Sequence, residues 1–408
     1  MRISSASVLA LMLAFLLPVA SAGGVPQPVL AQDTADPTPG SARNELYLPA
    51  LGAFMTPEQT DGELVTMAVS RSEQEAAAEF WTREKMQAAQ SLDLLVAKED
   101  EQTAEEWRDT TRVGPRGSAP GSLPDPKTEE LAQALYPEEW ARAAVDGAPE
   151  SPGPDLGPDL NATALDETEA YAATPPFTSY YVNDNTATWK SYPWLTIGRL
   201  FFQIPGLTGT YACTGAVAYG RAVWTAGHCV YTVGRGWSYN MWFVPAYRNG
   251  AYPYGSFTVK SRTALSGWVS AGNLAYDIGM VTVNDKDGMK LSQWVGSLGF
   301  VWNQPATQLF HAFGYPGNYS SGQYLVACAA STYDRDPLAG PDAIGIGCNM
   351  GSGASGGPWL VAYSPFKASS SNYVNGIISY SYTTKPLEVY GPYFGNEAKQ
   401  LYDWSKVQ

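Results

Sequence analysis

At 408 residues the chain is too long for one ordinary domain and holds ample apolar material for a sizeable core. Its net charge of −14 hides a division: residues 23–175 carry twenty-nine acids against ten bases, and residues 176–408 carry ten acids against fourteen bases. The bases are scattered and their excess is small, which argues against a nucleic-acid-binding protein.

The chain opens with a secretory signal. Arg2 supplies a positive charge, residues 8–19 are almost wholly apolar, and Ala20-Ser21-Ala22 is small at the two positions that a signal peptidase reads. The expected product is cleaved after Ala22 and secreted to the extracellular space. The competing reading is a membrane anchor, but the run falls short of the ~20 residues that a span needs. No later stretch is apolar enough to cross a bilayer, so no membrane partner is expected.

Residues 23–175 read as an acidic pro-region and linker. Residues 23–40 are rich in Pro, Ala and Thr, a disordered composition. Residues 72–107 lack Gly and Pro and are rich in Ala, Glu, Gln, Lys and Leu, which predicts a helix. Residues 115–126 break that pattern, and 128–145 predict a second helix interrupted at Pro137. Residues 151–176 mix Pro and Gly with acids, the signature of an extended, cleavable linker.

From residue 176 to 408 Tyr, Trp, Val, Thr and Gly in short runs replace the helix formers. Candidate strands are 195–204, 212–219, 222–225, 241–246, 257–261, 278–283, 308–314, 324–331, 358–363 and 374–380. Pro205-Gly206, Asn249-Gly250, Pro316-Gly317 and Asn375-Gly376 punctuate them. Many short strands with such turns predict an all-β barrel or sandwich. A last segment, 397–407, reads as an amphipathic helix with Leu401 and Trp404 on one side.

Four cysteines, Cys213, Cys229, Cys328 and Cys348, form no C-x-x-C pair, against a zinc knuckle or thioredoxin-type site. An even count in an exported chain predicts two disulfides. Of the three possible pairings, Cys213–Cys229 with Cys328–Cys348 is the one expected.

Three short stretches carry chemistry. His228 sits in Thr225-Ala226-Gly227-His228-Cys229, directly after an apolar strand. A cysteine beside it, bonded back to Cys213, fixes the backbone of a general base, which must lie within hydrogen-bond reach of its proton. Ser355 sits in Gly351-Ser352-Gly353-Ala354-Ser355-Gly356-Gly357-Pro358. Flanking glycines let the backbone approach a substrate carbonyl, and the amides of Gly353 and Ser355 can converge as an oxyanion hole. Asp277 precedes the apolar run Ile278-Gly279-Met280-Val281 and can hold the imidazole in one tautomer. Each has a plain structural alternative: a strand-end histidine, a flexible Gly-Ser turn, a turn aspartate. Serine is a poor nucleophile near neutral pH, so it needs the base and the base needs orienting.

Together these motifs, in the order His, Asp, Ser over about residues 190–408, resemble the chymotrypsin/trypsin-like serine peptidase superfamily; subtilisins and α/β-hydrolases run in other orders. The resemblance implies two six-stranded antiparallel β-barrels with the cleft between them, a C-terminal helix, and a serine endopeptidase acting on proteins or peptides through an acyl-enzyme. It calls for no metal or organic cofactor. Tyr252-Pro253-Tyr254-Gly255-Ser256-Phe257 and Phe313-Gly314-Tyr315-Pro316-Gly317 resemble the bacterial glutamyl-endopeptidase-like branch.

The sequence also departs from the family. Ala354 stands where digestive members carry the aspartate that pairs with a newly cut N-terminus, so activation does not follow that switch. The pro-region is then expected to block the cleft or to assist folding. By resemblance the substrate pocket has Asn349 and Met350 at its base and Ser379, Tyr380 and Ser381 as a wall. Glutamyl endopeptidases place a histidine before that wall, where Ile378 stands here. With no acid at the base and no such histidine, uncharged P1 residues are expected. His311, in an apolar strand, reads as structural. The competing functions are a catalytically inactive binding module and an esterase on the same fold. The protein is expected to be a monomer. Asn161 and Asn318 head glycosylation sequons that matter only in a host that glycosylates.

Overall fold

The computed structural model describes residues 29–30, 45–48, 63–96, 114–145, 175–182, 188–337, 341–366 and 370–408. The secretory signal at 1–22, most of the 23–40 stretch, the linker at 151–174 and the Asn161 sequon lie outside the described residues.

Six runs of β-branched, aromatic and small residues build the first barrel: Ile197–Gln203 (β1), Tyr211–Tyr219 (β2), Ala222–Ala226 (β3), Tyr239–Pro245 (β4), Phe257–Leu265 (β5) and Ile278–Val283 (β6). All pairings are antiparallel in the ring β3-β6-β5-β4-β1-β2, and β2 returns to β3 to close it. Closure removes the open edges that an isolated sheet exposes. Every residue of β3 and β6 is buried, in keeping with their near-continuous apolar sequences.

The second half is built from Gly299–Trp302 (β7), Leu309–Gly314 (β8), Val326–Asp336 (β9), Ala343–Gly347 (β10), Pro358–Val361 (β11), Tyr373–Ile377 (β12) and Glu388–Gly391 (β13). Their order is β13-β10-β9-β8-β11-β12-β7, and only β7–β12 is parallel. The expected second ring is not closed by a ladder among the described residues. Gly117–Ala119 of the acidic part takes the outer edge of β7, antiparallel. Strands β7, β10 and β13 were not anticipated from the sequence. Each is four or five residues long and contains a glycine.

The C-terminal helix, Asn396–Ser405 (α1), joins the two halves. Its Tyr402 ring lies 4.8 Å from Phe300 of β7 and stacks at 6.4 Å on Trp224 of β3. Trp224 and Phe300 are themselves 5.3 Å apart. Such aromatic contacts add to the apolar area already buried between the halves. Leu401 is fully buried and Trp404 packs against the same core.

The acidic part is docked on this frame at many points. Leu64–Ala68 pairs antiparallel with β5. The predicted helix over 72–107 is shorter than expected. A helix at Arg71–Phe80 is capped by Ser70, a second turn at Arg83–Gln87 is capped by Thr82, and the chain then becomes extended at Gln90–Ser91 and Asp93–Val96. The first helix ends where Trp81 turns extended, and the Thr82 cap starts a separate turn in place of a continuation. Beyond them, alternating Leu92, Leu94 and Val96 are buried, and tertiary burial overrides local helix propensity. The 128–145 segment divides into Thr128–Leu135 and Pro137–Val145, with Pro137 at a first helical position where its missing N–H costs nothing. Arg262 of β5 pairs with Glu73 at 2.8 Å. The indole N–H groups of Trp81 and Trp140 donate to the carbonyls of Asn240 and Pro253. Among the described residues no helix is long and apolar enough to cross a membrane.

Candidate active site

Strand β3 delivers His228 at its end, in the single helical turn Gly227–Val230. That turn needs glycine at 227: a Cβ there would lie 2.8 Å from Oδ1 of Asp277 and 2.9 Å from the Trp268 ring. Cys229 is bonded to Cys213 of β2, which ties the turn to the barrel wall. The backbone N–H of His228 donates to Oδ1 of Asp277 at 2.6 Å, and Nδ1 lies 2.7 Å from Oδ2. An ionised carboxylate only accepts, so Nδ1 carries the proton and Nε2 is left as the acceptor of the neutral ring. Ser379 adds a third donor, its hydroxyl 2.5 Å from Oδ2. His228, Asp277 and Ser379 are all fully buried.

Ser355 lies in the loop between β10 and β11. Gly353 and Gly356 have φ of +90° and +82°, conformations that L side chains rarely adopt. A Cβ at Gly356 would come within 2.3 Å of the Thr225 hydroxyl and 2.4 Å of the Thr214 carbonyl. Thr214 stitches this loop to the first barrel. Its N–H donates to the Ser355 carbonyl at 2.8 Å, its hydroxyl donates to the Gly353 carbonyl at 2.8 Å, and the same hydroxyl accepts from the Tyr315 N–H at 3.0 Å. Sγ of Cys229, next to His228, is 3.9 Å from the Ser355 carbonyl. The serine loop and the histidine turn therefore meet across β2. Nε2 of His228 and Oγ of Ser355 are both buried, and neither has a hydrogen-bond partner within the described protein. Thr214 escaped the sequence reading; its only signal was its place directly after Cys213.

The pocket residues fall into two groups. Asn349 and Met350 are buried; the Asn349 carbonyl accepts from Nδ2 of Asn318 at 2.8 Å, and its Oδ1 accepts from the Tyr319 hydroxyl at 2.9 Å. Oδ1 of Asn318 in turn accepts from the Gly351 N–H at 2.9 Å. This sequon asparagine thus clamps residues 349–351. Met350 and Ile378 belong to one buried cluster with Trp359, Tyr393 and the bonded pair Cys328–Cys348. Along the wall, Ser379 turns its hydroxyl to Asp277, and the half-buried Ser381 pairs with the acidic part. Tyr380 stacks on Tyr390 at 5.3 Å and donates its hydroxyl to Asp336, an acid that also accepts from Tyr382. Burial, then the Asp336 charge, pushes the Tyr380 hydroxyl well above the ordinary tyrosine range. Ala354 is fully buried, and a Cβ added at Gly314 would lie 2.9 Å from its methyl group, so the position is tightly filled.

His311 lies on β8 between Ala329 and Leu360, stacked 4.3 Å from the Tyr363 ring. Cys213, His228 and Cys229 put three ligand-type atoms close together, but both sulfurs are committed to a disulfide and offer no thiolate.

A sequence model of the family described as Trypsin matches residues 185–404. A Bacillus licheniformis protein named glutamyl endopeptidase is 33% identical over 114 residues, 27% of this chain and 34% of that one. A Bacillus subtilis protein named extracellular metalloprotease is 31% identical over 106 residues, 26% of this chain and 34% of that one. The match spans 34% of the length of each of these curated relatives. Among solved structures, the protease Anisep from Arthrobacter nicotinovorans is 34% identical, covering 54% of this chain and 99% of that one, with a TM-score of 0.48. The thermostable serine protease AL20 from an extremophilic microorganism is 30% identical, covering 52% of this chain and 97% of that one, with a TM-score of 0.47.

Proposed function

The chain belongs to the trypsin family, and from that premise we propose that it is a secreted serine endopeptidase, made as a precursor with residues 23–175 as its pro-region. The observation that carries the reading is the buried line from Ser379 through Asp277 to His228, with the unpartnered hydroxyl of Ser355 held beside it through Thr214 and Cys229. In this reading Nε2 of His228 takes the Ser355 proton as Oγ attacks a peptide carbonyl. The amides of Gly353 and Ser355 hold the oxyanion, and Asp277 stabilises the imidazolium. His228 then passes its proton to the departing amine. Water repeats the sequence on the acyl-enzyme and releases the acid, so atoms and protons balance without a metal or organic cofactor.

The pocket of Asn349, Met350, Ile378 and the 379–381 wall supports an uncharged P1 residue. Its buried base is lined by an amide, a thioether and an aliphatic chain. The many docking contacts of the acidic part support a pro-region acting within its own chain as inhibitor or folding aid. Fluorophosphonate labelling tests the reading. After removal of residues 23–175 the chain should label, and Ser355→Ala should not. Labelling that persists in Ser355→Ala sinks the assignment, and hydrolysis of esters with no hydrolysis of peptides sinks the endopeptidase.

A further inference from the structure

A substrate needs the cleft empty, yet in the whole chain His228 is 0% and Ser355 1% exposed. The cover is an extended segment of the acidic part. Gln90–Ser91 pairs with Tyr211–Ala212 of β2, and Asp93–Val96 pairs with Ser381–Tyr382 of the pocket wall. Between them the Gly353 N–H, one of the two oxyanion donors, points at the Leu92 carbonyl at 2.7 Å. The Leu92 N–H donates to Ala212 at 3.0 Å, and the Thr383 N–H donates to Val96 at 3.2 Å. Ser91 seats its side chain against Gly353 of the serine loop and Gly317 beyond β8: a Cβ at either would lie 2.8 Å from its Oγ. The Ser352 hydroxyl donates to Asp93 at 3.3 Å. Leu92, Leu94 and Val96 are 1%, 1% and 3% exposed.

Both pairings are parallel. With the Leu92 carbonyl in the oxyanion position, the bond at risk is Leu92–Asp93, and its leaving nitrogen belongs to Asp93. That nitrogen and the residues after it run towards Ser381–Tyr382. The residues before Leu92 run along Ala212, beside the Cys213–Cys229 bridge next to His228. The imidazole that must protonate the leaving nitrogen therefore lies on the side of the retained, N-terminal part. A strand of opposite direction would pair antiparallel with both walls and would bring its leaving nitrogen to the histidine side.

Resting on the peptidase reading, we infer that Gln90–Val96 is a built-in cleft ligand bound with reversed chain polarity: it takes up the Gly353 donor of the oxyanion hole and both strand-pairing walls, yet cannot be cut. The partner surface of the cleft is thus a strand docker with two walls, and the precursor is silent until this segment leaves. A cut in 146–174 alone does not free the cleft, because the segment is held by its own ladders and by the Leu64–Ala68 pairing to β5.

The test compares three preparations for the rate of fluorophosphonate labelling at Ser355: the intact chain, the chain nicked within 146–174, and the nicked chain after digestion of the still-bound leader. Intact and nicked chains should label at least tenfold more slowly than the digested one. If the intact chain labels as fast, the inference falls and the peptidase reading stands. If the digested chain, still folded by circular dichroism, does not label, the peptidase reading falls and takes the inference with it. In the intact chain Leu92→Pro, which removes the N–H given to Ala212, should speed labelling several-fold. Leu94→Ala provides the same test without a backbone change, and a folded chain whose labelling is unmoved by both overturns the inference. Mass spectrometry of the leader decides polarity. A Leu92–Asp93 cut that appears in the parent chain and vanishes in Ser355→Ala refutes it, and an intact bond supports it.

Discussion

Ser379 and Asp277 share a hydrogen bond of 2.5 Å, made to the same carboxylate oxygen, Oδ2, that faces Nδ1 of His228 at 2.7 Å. Residues 102 positions apart in the chain thus act on one oxygen. A hydrogen bond to a charged group is worth about 1.5–3 kcal/mol, so Ser379→Ala should lower kcat by about tenfold or more. KM should move little, because the hydroxyl is turned from the pocket. Ser379→Thr should restore much of the rate. Steady-state kinetics on leader-free enzyme checks this, and a change confined to KM would make Ser379 a pocket residue only.

Ser355 and His228 should behave as one unit. Ser355→Ala and His228→Ala should each cost about a millionfold in kcat, and the double variant little more, because neither group acts without the other. Additive losses would mean that the two side chains work independently.

The Cys213–Cys229 bridge spans 16 residues and holds the histidine turn to β2. Closing a loop of that length is worth ~3 kcal/mol in the chain-entropy account. Replacing both cysteines by alanine should lower unfolding stability by about that amount. It should also reduce kcat, because the turn that carries His228 is freed. Denaturant melts and kinetics on the same preparation measure both effects.

Burial pushes the His311 imidazole below its ordinary range. The unfolded chain then takes up this proton first as pH falls. Stability is therefore unaffected at pH well above the unfolded value, near 6.5, and declines from there down towards the lower folded value. His311→Gln should flatten this part of the acid-side decline in Tm. Its Tm relative to the parent should be higher at pH 5 than at pH 8, with little change in kcat on leader-free enzyme. Equal differences at both pH values would contradict the assignment.

Glu73 holds the nearly buried Arg262 guanidinium, which also donates to the Ser238 carbonyl. Glu73→Ala should destabilise the whole chain by about 2 kcal/mol, the range of a charge-assisted hydrogen bond. It should leave a preparation without residues 23–175 unchanged, since that preparation lacks Glu73. Chemical denaturation of the two forms separates these outcomes.

Much of the fold was written locally. The runs at 197–203, 211–219, 222–226 and 278–283 are apolar, β-branched and bounded by turn residues, and each became a barrel strand. The glycines around residue 355 announced a backbone that other residues resist, and Gly353 and Gly356 adopt positive φ. Such features depend on a residue and its neighbours, so they are legible in one dimension. What only the tertiary structure decided was who sits against whom. Thr214, Ser379 and Asp336 carry no local mark of their partners, because a hydroxyl or carboxylate bonds whatever the fold brings to it. The 90–96 segment is the sharpest case. Its composition favours a helix, its apolar alternation fits a strand of either direction, and its parallel pairing with two walls far along the chain arises only when both are folded beside it.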